Sequence, residues 1–279
     1  DNEILKSEAN KYRDFDIGEV SLYVPRCFAY LTFGRWHMLV LSSCGDTTLK
    51  PFTIAKPPPM TNEEILQGSL QILGVLVYMH ETCKMVHRDI KPENICVDKT
   101  GVWRLVDFGS AGYTDTSGDS DTLSSGNTLK YLPSEHILGH SQEDSPMLDV
   151  YALGIVICEL YGCVPFLPER EFRGDGNTFC EIVQRGSRQS LCLPTSMPSD
   201  LQTVVRKMLD PNRHHRYQSA RKAYDDAYDA YEALRATTSA RPRPLPHQPP
   251  YFLLPPPTPL PMPSRTLKFH RQQFDKCNV

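Results

Sequence analysis

The chain has 279 residues, with 30 Lys and Arg against 33 Asp and Glu and 40% hydrophobic residues, a composition that excludes wholesale disorder and leaves ample material for a buried core. Its longest apolar stretches, such as Ile72 to Tyr78 and Val150 to Cys158, fall short of the roughly 18 residues needed to cross a bilayer, and Asp1-Asn2-Glu3 does not read as a secretion signal. The net charge of −3 divides unevenly: residues 235–279 hold seven basic residues against one acid, +6, leaving −9 on residues 1–234, which argues against a general nucleic-acid-binding surface.

In chain order, Asn2 to Phe15 places Leu, Ala, Tyr and charges at helical spacing. Val24 to Thr32 and Trp36 to Ser42 are β-like runs joined at Phe33-Gly34-Arg35, a hairpin. A loop with Pro57-Pro58-Pro59 precedes Thr61-Asn62-Glu63-Glu64, a capping box, and then the apolar-periodic run Ile65 to His80, a largely buried helix. Asn94 to Val97 and Val102 to Phe108, around a turn at Asp98 to Gly101, form a second hairpin. Gly109 to Gly126 is rich in Ser, Thr, Gly and Asp and is loop-like. Helices are expected at about 149–162, 178–185, 198–209 and 219–234. Eleven of the 24 prolines lie between Pro242 and Pro263, so the body should end near Leu234 and the rest is a tail. No repeat of 20–50 residues is present, which excludes solenoids and propellers.

The nine cysteines form no C-x-x-C pair, and Cys27, Cys96 and Cys158 sit inside apolar runs. They read as buried free thiols of an intracellular, cytoplasmic or nuclear protein. His214-His215 and His136/His140 lack the partner spacing of a zinc site.

Three short strings sit in order on the second hairpin: His87-Arg88-Asp89, Asn94, and Asp107-Phe108-Gly109, which ends its second strand. A polar turn accounts for any one of them, but not for all three at this spacing. The full string Val86-His87-Arg88-Asp89-Ile90-Lys91-Pro92-Glu93-Asn94 closely resembles the catalytic loop of eukaryotic-type protein kinases. The physics asks for these residue types. Phosphoryl transfer concentrates negative charge that Mg2+ neutralises, and the Asn94 amide oxygen and Asp107 carboxylate are hard ligands suited to it. Asp89 stands where it can accept a proton from an incoming hydroxyl.

The resemblance implies a good deal more. Lys91 matches the position that reaches the γ-phosphate in Ser/Thr-selective members, so Ser/Thr acceptors in protein substrates are expected, with ATP and Mg2+ as cofactors. Arg88 matches the arginine that pairs with a phosphorylated activation loop. Thr128 to Glu135 is similar to the segment ending in A-P-E, with Pro133-Ser134 replacing Ala-Pro. Asp149 looks like the residue that holds the catalytic-loop backbone, and Arg216 like the late arginine that pairs with Glu135. Leu41 is the expected gatekeeper, Ser42 to Cys44 the segment facing adenine, and Cys96 a further residue of the nucleotide site. In the opening helix Glu8 is the candidate partner of a phosphate-binding lysine, with Glu3 its rival and a solvated helix face the plain alternative.

The expected fold is therefore α+β, the two-lobed protein-kinase fold, with a partial small β lobe over residues 1–48 and a complete, mainly helical large lobe over 49–235. The proline-rich basic tail, 236–279, is expected to be disordered. The family's glycine-rich loop and its lysine strand have no match ahead of Glu8. Gly174-Asp175-Gly176 and Phe52 to Lys56 are decoys in ordinary loop. The expectation is that residues 1–279 alone bind ATP weakly and turn over slowly or not at all. A non-catalytic kinase-like module that binds partners is the alternative function. The Ser/Thr-rich loop from Thr114 to Ser125 is a candidate for phosphorylation or simply a solvated loop. Arg243-Pro244-Leu245-Pro246-His247-Gln248-Pro249 matches an R-x-x-P-x-x-P ligand for an SH3- or WW-type domain. Neither nucleic acid nor membrane is an expected partner.

Overall fold

The computed structural model describes residues 2–15, 18–54, 60–114, 129–137, 145–163 and 191–238. The expected helix 178–185, the Gly174-Asp175-Gly176 decoy, most of the Ser/Thr-rich loop, Thr128, Lys56 and the tail with its Arg243–Pro249 motif lie outside the described residues.

The chain opens with α1 (Asn2–Arg13) and the antiparallel hairpin β1 (Cys27–Phe33) and β2 (Trp36–Leu41). The hairpin register runs from Phe33↔Trp36 through Leu31↔Met38 to Cys27↔Leu41. Alternation in β2 turns His37, Leu39 and Leu41 inward and leaves Trp36, Met38 and Val40 exposed, as period 2 requires. α1 packs on both strands, and Ala9, Tyr12 and Phe15 are almost wholly buried.

A small sheet follows, in the order β3 (Thr47–Thr48), β5 (Ile95–Val97), β6 (Trp103–Leu105), all antiparallel. Between β3 and β5 lie α2 (Lys50–Ile54), α3 (Asn62–Glu81) and β4 (Met85–Val86). The Thr61–Glu64 capping box closes α3: the Glu64 N–H donates to Thr61 Oγ1 at 3.2 Å, and the Thr61 N–H donates to Glu64 Oε2 at 2.8 Å. Beyond β6 come β7 (Gly112–Tyr113), α4 (Ser134–Ile137), α5 (Pro146–Leu160), α6 (Ser199–Met208) and α7 (Ala220–Thr238).

α5 is apolar on every side, and Leu148 through Leu160 are all buried, so it serves as the central helix. α3, α6 and α7 pack around it, joining Leu73, Leu76, Val156, Val205, Met208 and Tyr231 in one core. Trp103 seals the edge of that core against α3. A Cβ on Gly68 would lie 2.1 Å from the indole, so only glycine lets the ring this close, and the Trp103 N–H is satisfied by Gln71 Oε1 at 2.8 Å.

The structure corrects the sequence reading in four places. Lys50–Ile54, taken as loop from Phe52 onward, is a short helix seated against α5, with Leu49 fully buried and Phe52 against the core. Gly112–Tyr113, taken as loop, pairs with Met85–Val86, a pairing between residues too far apart in sequence for local pattern to reveal. The strand before Asp107 ends at Leu105, three residues short of the expected end at Phe108. The last helix runs to Thr238 rather than stopping near Leu234.

Glu135 and Arg216 form the expected pair. The Arg216 guanidinium donates to both Glu135 oxygens at 2.5 and 3.1 Å and to the Asp210 carbonyl at 2.6 Å, and it lies over the Tyr151 ring. Its side chain is 4% exposed against 22% for Glu135. Removing one partner leaves the other charge uncompensated, so Arg216→Ala should cost about 3 kcal/mol in denaturant unfolding, with Arg216→Lys between it and the parent. Gly68→Ala should cost a similar amount, about 3 kcal/mol, because neither the indole nor the helix backbone can give way cheaply. Unchanged denaturation midpoints would refute both assignments.

Candidate active site

The loop after β4 is built around one buried carboxylate. Asp149, in the first turn of α5 and 1% exposed, accepts the His87 N–H at 2.8 Å through Oδ2 and the Arg88 N–H at 2.9 Å through Oδ1. His80 Nε2 lies 2.9 Å from the same Oδ2. Burial alone would push this carboxyl up. The hydrogen bond and charge of His80 and the His87 backbone N–H outweigh it, so the acid is held below its usual range. These bonds hold Arg88 at φ 68°, a conformation costly for a side chain of its size. Across the β4–β7 pair, Gly112 leaves room for Arg88: a Cβ there would lie 2.2 Å from the guanidinium.

An aromatic column joins this loop to α1. The His87 ring meets the Phe108 ring edge-on at 5.0 Å, and Phe108 meets Tyr12 and Phe15 at 4.9 Å each. His87 is fully buried, with Nε2 3.2 Å from the Val106 carbonyl and Nδ1 unpartnered among the described residues. The Nε2–H tautomer satisfies the carbonyl, and burial drives the imidazole pKa down, so the ring is neutral.

Three of the expected site residues form one cluster. Lys91 Nζ donates to Asp89 Oδ2 at 2.6 Å, and Asn94 Nδ2 donates to the same oxygen and to the Asp89 carbonyl at 2.9 Å each. The turn Pro92–Asn94 sets this spacing, closed by the Asn94 N–H on the Lys91 carbonyl at 3.0 Å. Asp89 Oδ1 is buried and has no hydrogen-bond partner among the described residues. Arg88, Asp89, Ile90, Tyr131, Leu132 and Leu148 line a small cleft.

A second group gathers at Asp107, whose carboxylate is exposed and whose backbone sits at φ 66°. Its N–H donates to Tyr12 Oη at 3.1 Å, and its Oδ1 accepts the Gly109 N–H at 3.3 Å. Half-buried Glu8 borders the same Gly109 and accepts hydrogen bonds from the Tyr12 hydroxyl and the Phe108 N–H. Burial first, and the Asp107 charge second, push the Glu8 carboxyl up. The backbone bond from the Val106 N–H to the Asn94 carbonyl, 2.9 Å, brings the ends of β5 and β6 together. The Asn94 amide nitrogen is committed to Asp89, which leaves its oxygen as the atom that can ligate a cation. Two hard oxygen donors fit magnesium, which keeps waters and phosphate oxygens for the rest of its shell. No cluster of three His, Cys, Asp or Glu side chains forms a metal site among the described residues.

A profile of the protein kinase domain matches residues 23–228, most of the chain. The chain belongs to the protein kinase family. It is similar to the serine/threonine-protein kinase PrkC of Bacillus subtilis, 29% identical over 204 residues, covering 71% of this chain and 30% of that protein. It is also similar to the serine/threonine-protein kinase PknA of Mycobacterium tuberculosis, 30% identical over 167 residues, 60% and 36% of the two chains. An Aurora kinase of Patiria pectinifera is 32% identical over 147 residues, 52% and 33%. The chain spans about a third of the length of these relatives. Members of the kinase family in general use ATP and Mg2+. Among the described residues no helix is long and apolar enough to cross a membrane.

The expected hinge residues of this kinase domain lie at the end of β2. Leu41 packs against the core, and Ser42 is tied to Arg26 twice, through its N–H on the Arg26 carbonyl at 2.8 Å and the Arg26 N–H on its hydroxyl at 2.9 Å. The Cys44 thiol donates to the Ser42 carbonyl at 3.6 Å, and burial, aided by neighbouring Cys96, pushes it up to about 11. Cys96 pairs with Thr48 on one side and Arg104 on the other.

Tyr12 escaped the sequence reading as a site residue, and Lys11 enters it only, with Lys56, as a substitute for the missing phosphate-binding charge. Buried Lys11 donates Nζ to the Phe108 carbonyl at 3.0 Å and the Gly109 carbonyl at 3.3 Å, and burial lowers its pKa. The available signal was spacing: Lys11 and Tyr12 fall one helical turn after Glu8, on the same face.

The neutral His87 has a consequence for pH dependence. Its folded pKa lies below the ordinary 6.5, so as pH falls through that value the unfolded chain takes up a proton that the folded chain resists. Stability should therefore be unaffected above pH ~7 and decline below pH ~6.5, by at most about 1.4 kcal/mol per pH unit from this group. His87→Gln, which cannot titrate, should lose less stability than the parent between pH ~7.5 and ~5.5 in denaturant titrations. Equal losses would place the acid sensitivity elsewhere.

Proposed function

We propose that the protein transfers the γ-phosphoryl group of ATP to Ser and Thr hydroxyls of protein substrates. The observation that carries this reading is Asp89, a residue lining a small cleft: one carboxylate oxygen is occupied by Lys91 and Asn94, while the other is buried and without a partner among the described residues. A carboxylate fixed in that way is suited to orient an acceptor hydroxyl and take its proton. Lys91 neutralises charge beside it and, in this reading, reaches toward the transferred phosphate. Asn94 and Asp107 would hold magnesium, which when bound neutralises phosphate charge and aligns the donor. Leu41, Ser42, Cys44 and Cys96 would line the adenine side, and Glu8 would pair with a phosphate-binding lysine while bracing the Asp107 loop. The choice of Ser/Thr acceptors is supported by Lys91 and by the likeness to PrkC and PknA, both serine/threonine-protein kinases.

In the same reading residues 1–48 are small-lobe elements, 49–235 the large lobe and 236–279 an appended tail. Docking of an SH3- or WW-type domain on Arg243–Pro249 rests on the sequence of that segment alone.

Steady-state transfer to a Ser/Thr polypeptide, with Mg-ATP binding measured in parallel, tests the proposal. Asp89→Asn should lower kcat by about 100- to 10,000-fold, the usual worth of a positioned proton acceptor, and leave ATP affinity nearly unchanged. Equal loss of both would remove Asp89 from the role, and ATP binding without any transfer by the parent would favour a non-catalytic module.

A further inference from the structure

The C-terminal end of α5 carries a pair of thiols that the phosphotransfer chemistry does not use. The helix stops at Gly162, which takes φ 68°. Its N–H donates to the Glu159 carbonyl at 2.9 Å, and the Cys163 N–H donates to the Cys158 carbonyl at 2.9 Å. These two bonds are the double closure of a Schellman cap, in which the residue two beyond the helix folds back on the side chain five positions earlier. That contact is usually apolar. Here both positions are cysteine, and the Cys158 thiol donates a hydrogen bond to the Cys163 sulfur.

The two sulfurs differ in environment. Cys158 is fully buried among the core residues of α5, with the Glu159 carboxylate and the Arg206 guanidinium as charged neighbours. Cys163 is half-buried, and its thiol donates to the Cys192 carbonyl at 3.5 Å. The hydrogen bond from Cys158 pulls the Cys163 thiol down to about 7 and pushes its partner well above the ordinary value. One thiol is thus accessible, while the other is shielded beside it.

We propose that Cys163 is a hydroperoxide-sensitive thiol and Cys158 its resolving partner, so that oxidation closes a disulfide across the end of the central helix. The Cys163 thiolate attacks the distal oxygen of the peroxide, forming an S–O bond and breaking O–O. Sulfur loses two electrons, the peroxide is reduced, and the leaving oxygen takes a proton to depart as water or an alcohol. The Cys158 sulfur then attacks the Cys163 sulfenic sulfur, forming S–S and expelling hydroxide, which takes the Cys158 proton and leaves as water. The Schellman closure removes the need for backbone movement, since it already places the two side chains together. The proposal is independent of the kinase reading.

Treating residues 1–279 with hydrogen peroxide and mapping cysteine-containing peptides by mass spectrometry tests it directly. The expected product is a dithiothreitol-reversible disulfide between Cys158 and Cys163, with Cys163 consumed on the order of tenfold faster than an ordinary thiol at neutral pH. In Cys158→Ser the Cys163 sulfenic acid should persist and be captured by dimedone. In Cys163→Ser, Cys158 should stay unmodified. A disulfide from Cys163 to any other cysteine, or a Cys163 that reacts no faster than exposed Cys192, would overturn the proposal. The parent protein alone supplies both readouts, so a variant that fails to fold does not weaken the test.

Discussion

Asp149 accepts hydrogen bonds from two consecutive peptide N–H groups, those of His87 and Arg88, from within a helix that is buried along nearly its whole length. Bonds to an ionised acceptor are each worth about 1.5–3 kcal/mol, enough to hold Arg88 in a conformation that costs of order 1–3 kcal/mol. The direction of the following residues depends on that anchor. Asp89 leaves the loop toward Lys91 and Asn94 because the two peptides before it cannot rotate. The anchor is itself stationary because α3, α6 and α7 surround α5. The packed helical core therefore acts on the chemistry through one carboxylate.

The second connection to the site is made of rings rather than charges. Tyr12, Phe108 and His87 stack edge to face from α1 to the Asp149 loop. Each ring is buried, so displacing any one would leave apolar surface exposed on its neighbours. In sequence Asp89 lies two residues after His87, and Asp107 directly precedes Phe108. Movement of α1 would be felt by both.

Much of this was legible in the sequence wherever the signal was local. The Thr61–Glu64 capping box, the apolar run of α5 and the Asp98–Gly101 turn each carry their own structural rule, and the structure follows them. Asp89, Asn94 and Asp107 stand out in the sequence because kinase motifs fall on short segments of fixed spacing, and their roles are part of the proposal. What stayed hidden needs the third dimension. The β4–β7 pair spans only two residues on each side, too few for period 2 to register. Lys11 looks like any helical lysine until Phe108 and Gly109 are placed against it. The Cys158–Cys163 contact follows from a cap whose glycine was visible, but nothing in composition marks its two flanking positions as a pair.

The grip of α1 on the Asp107–Gly109 peptide units has a geometric corollary. Tyr12 receives the Asp107 N–H, Glu8 receives the Phe108 N–H, and Lys11 donates to the carbonyls of Phe108 and Gly109. These polar contacts on the second segment are all to main-chain atoms, so they follow its path, while the Tyr12 and Phe108 rings supply the side-chain contact. On the helix the three side chains occupy a single turn, and rolling α1 by one residue, about 100°, would carry all of them off their targets together. Such a joint has one seated position and no graded intermediates, like a key with all its teeth in a single row.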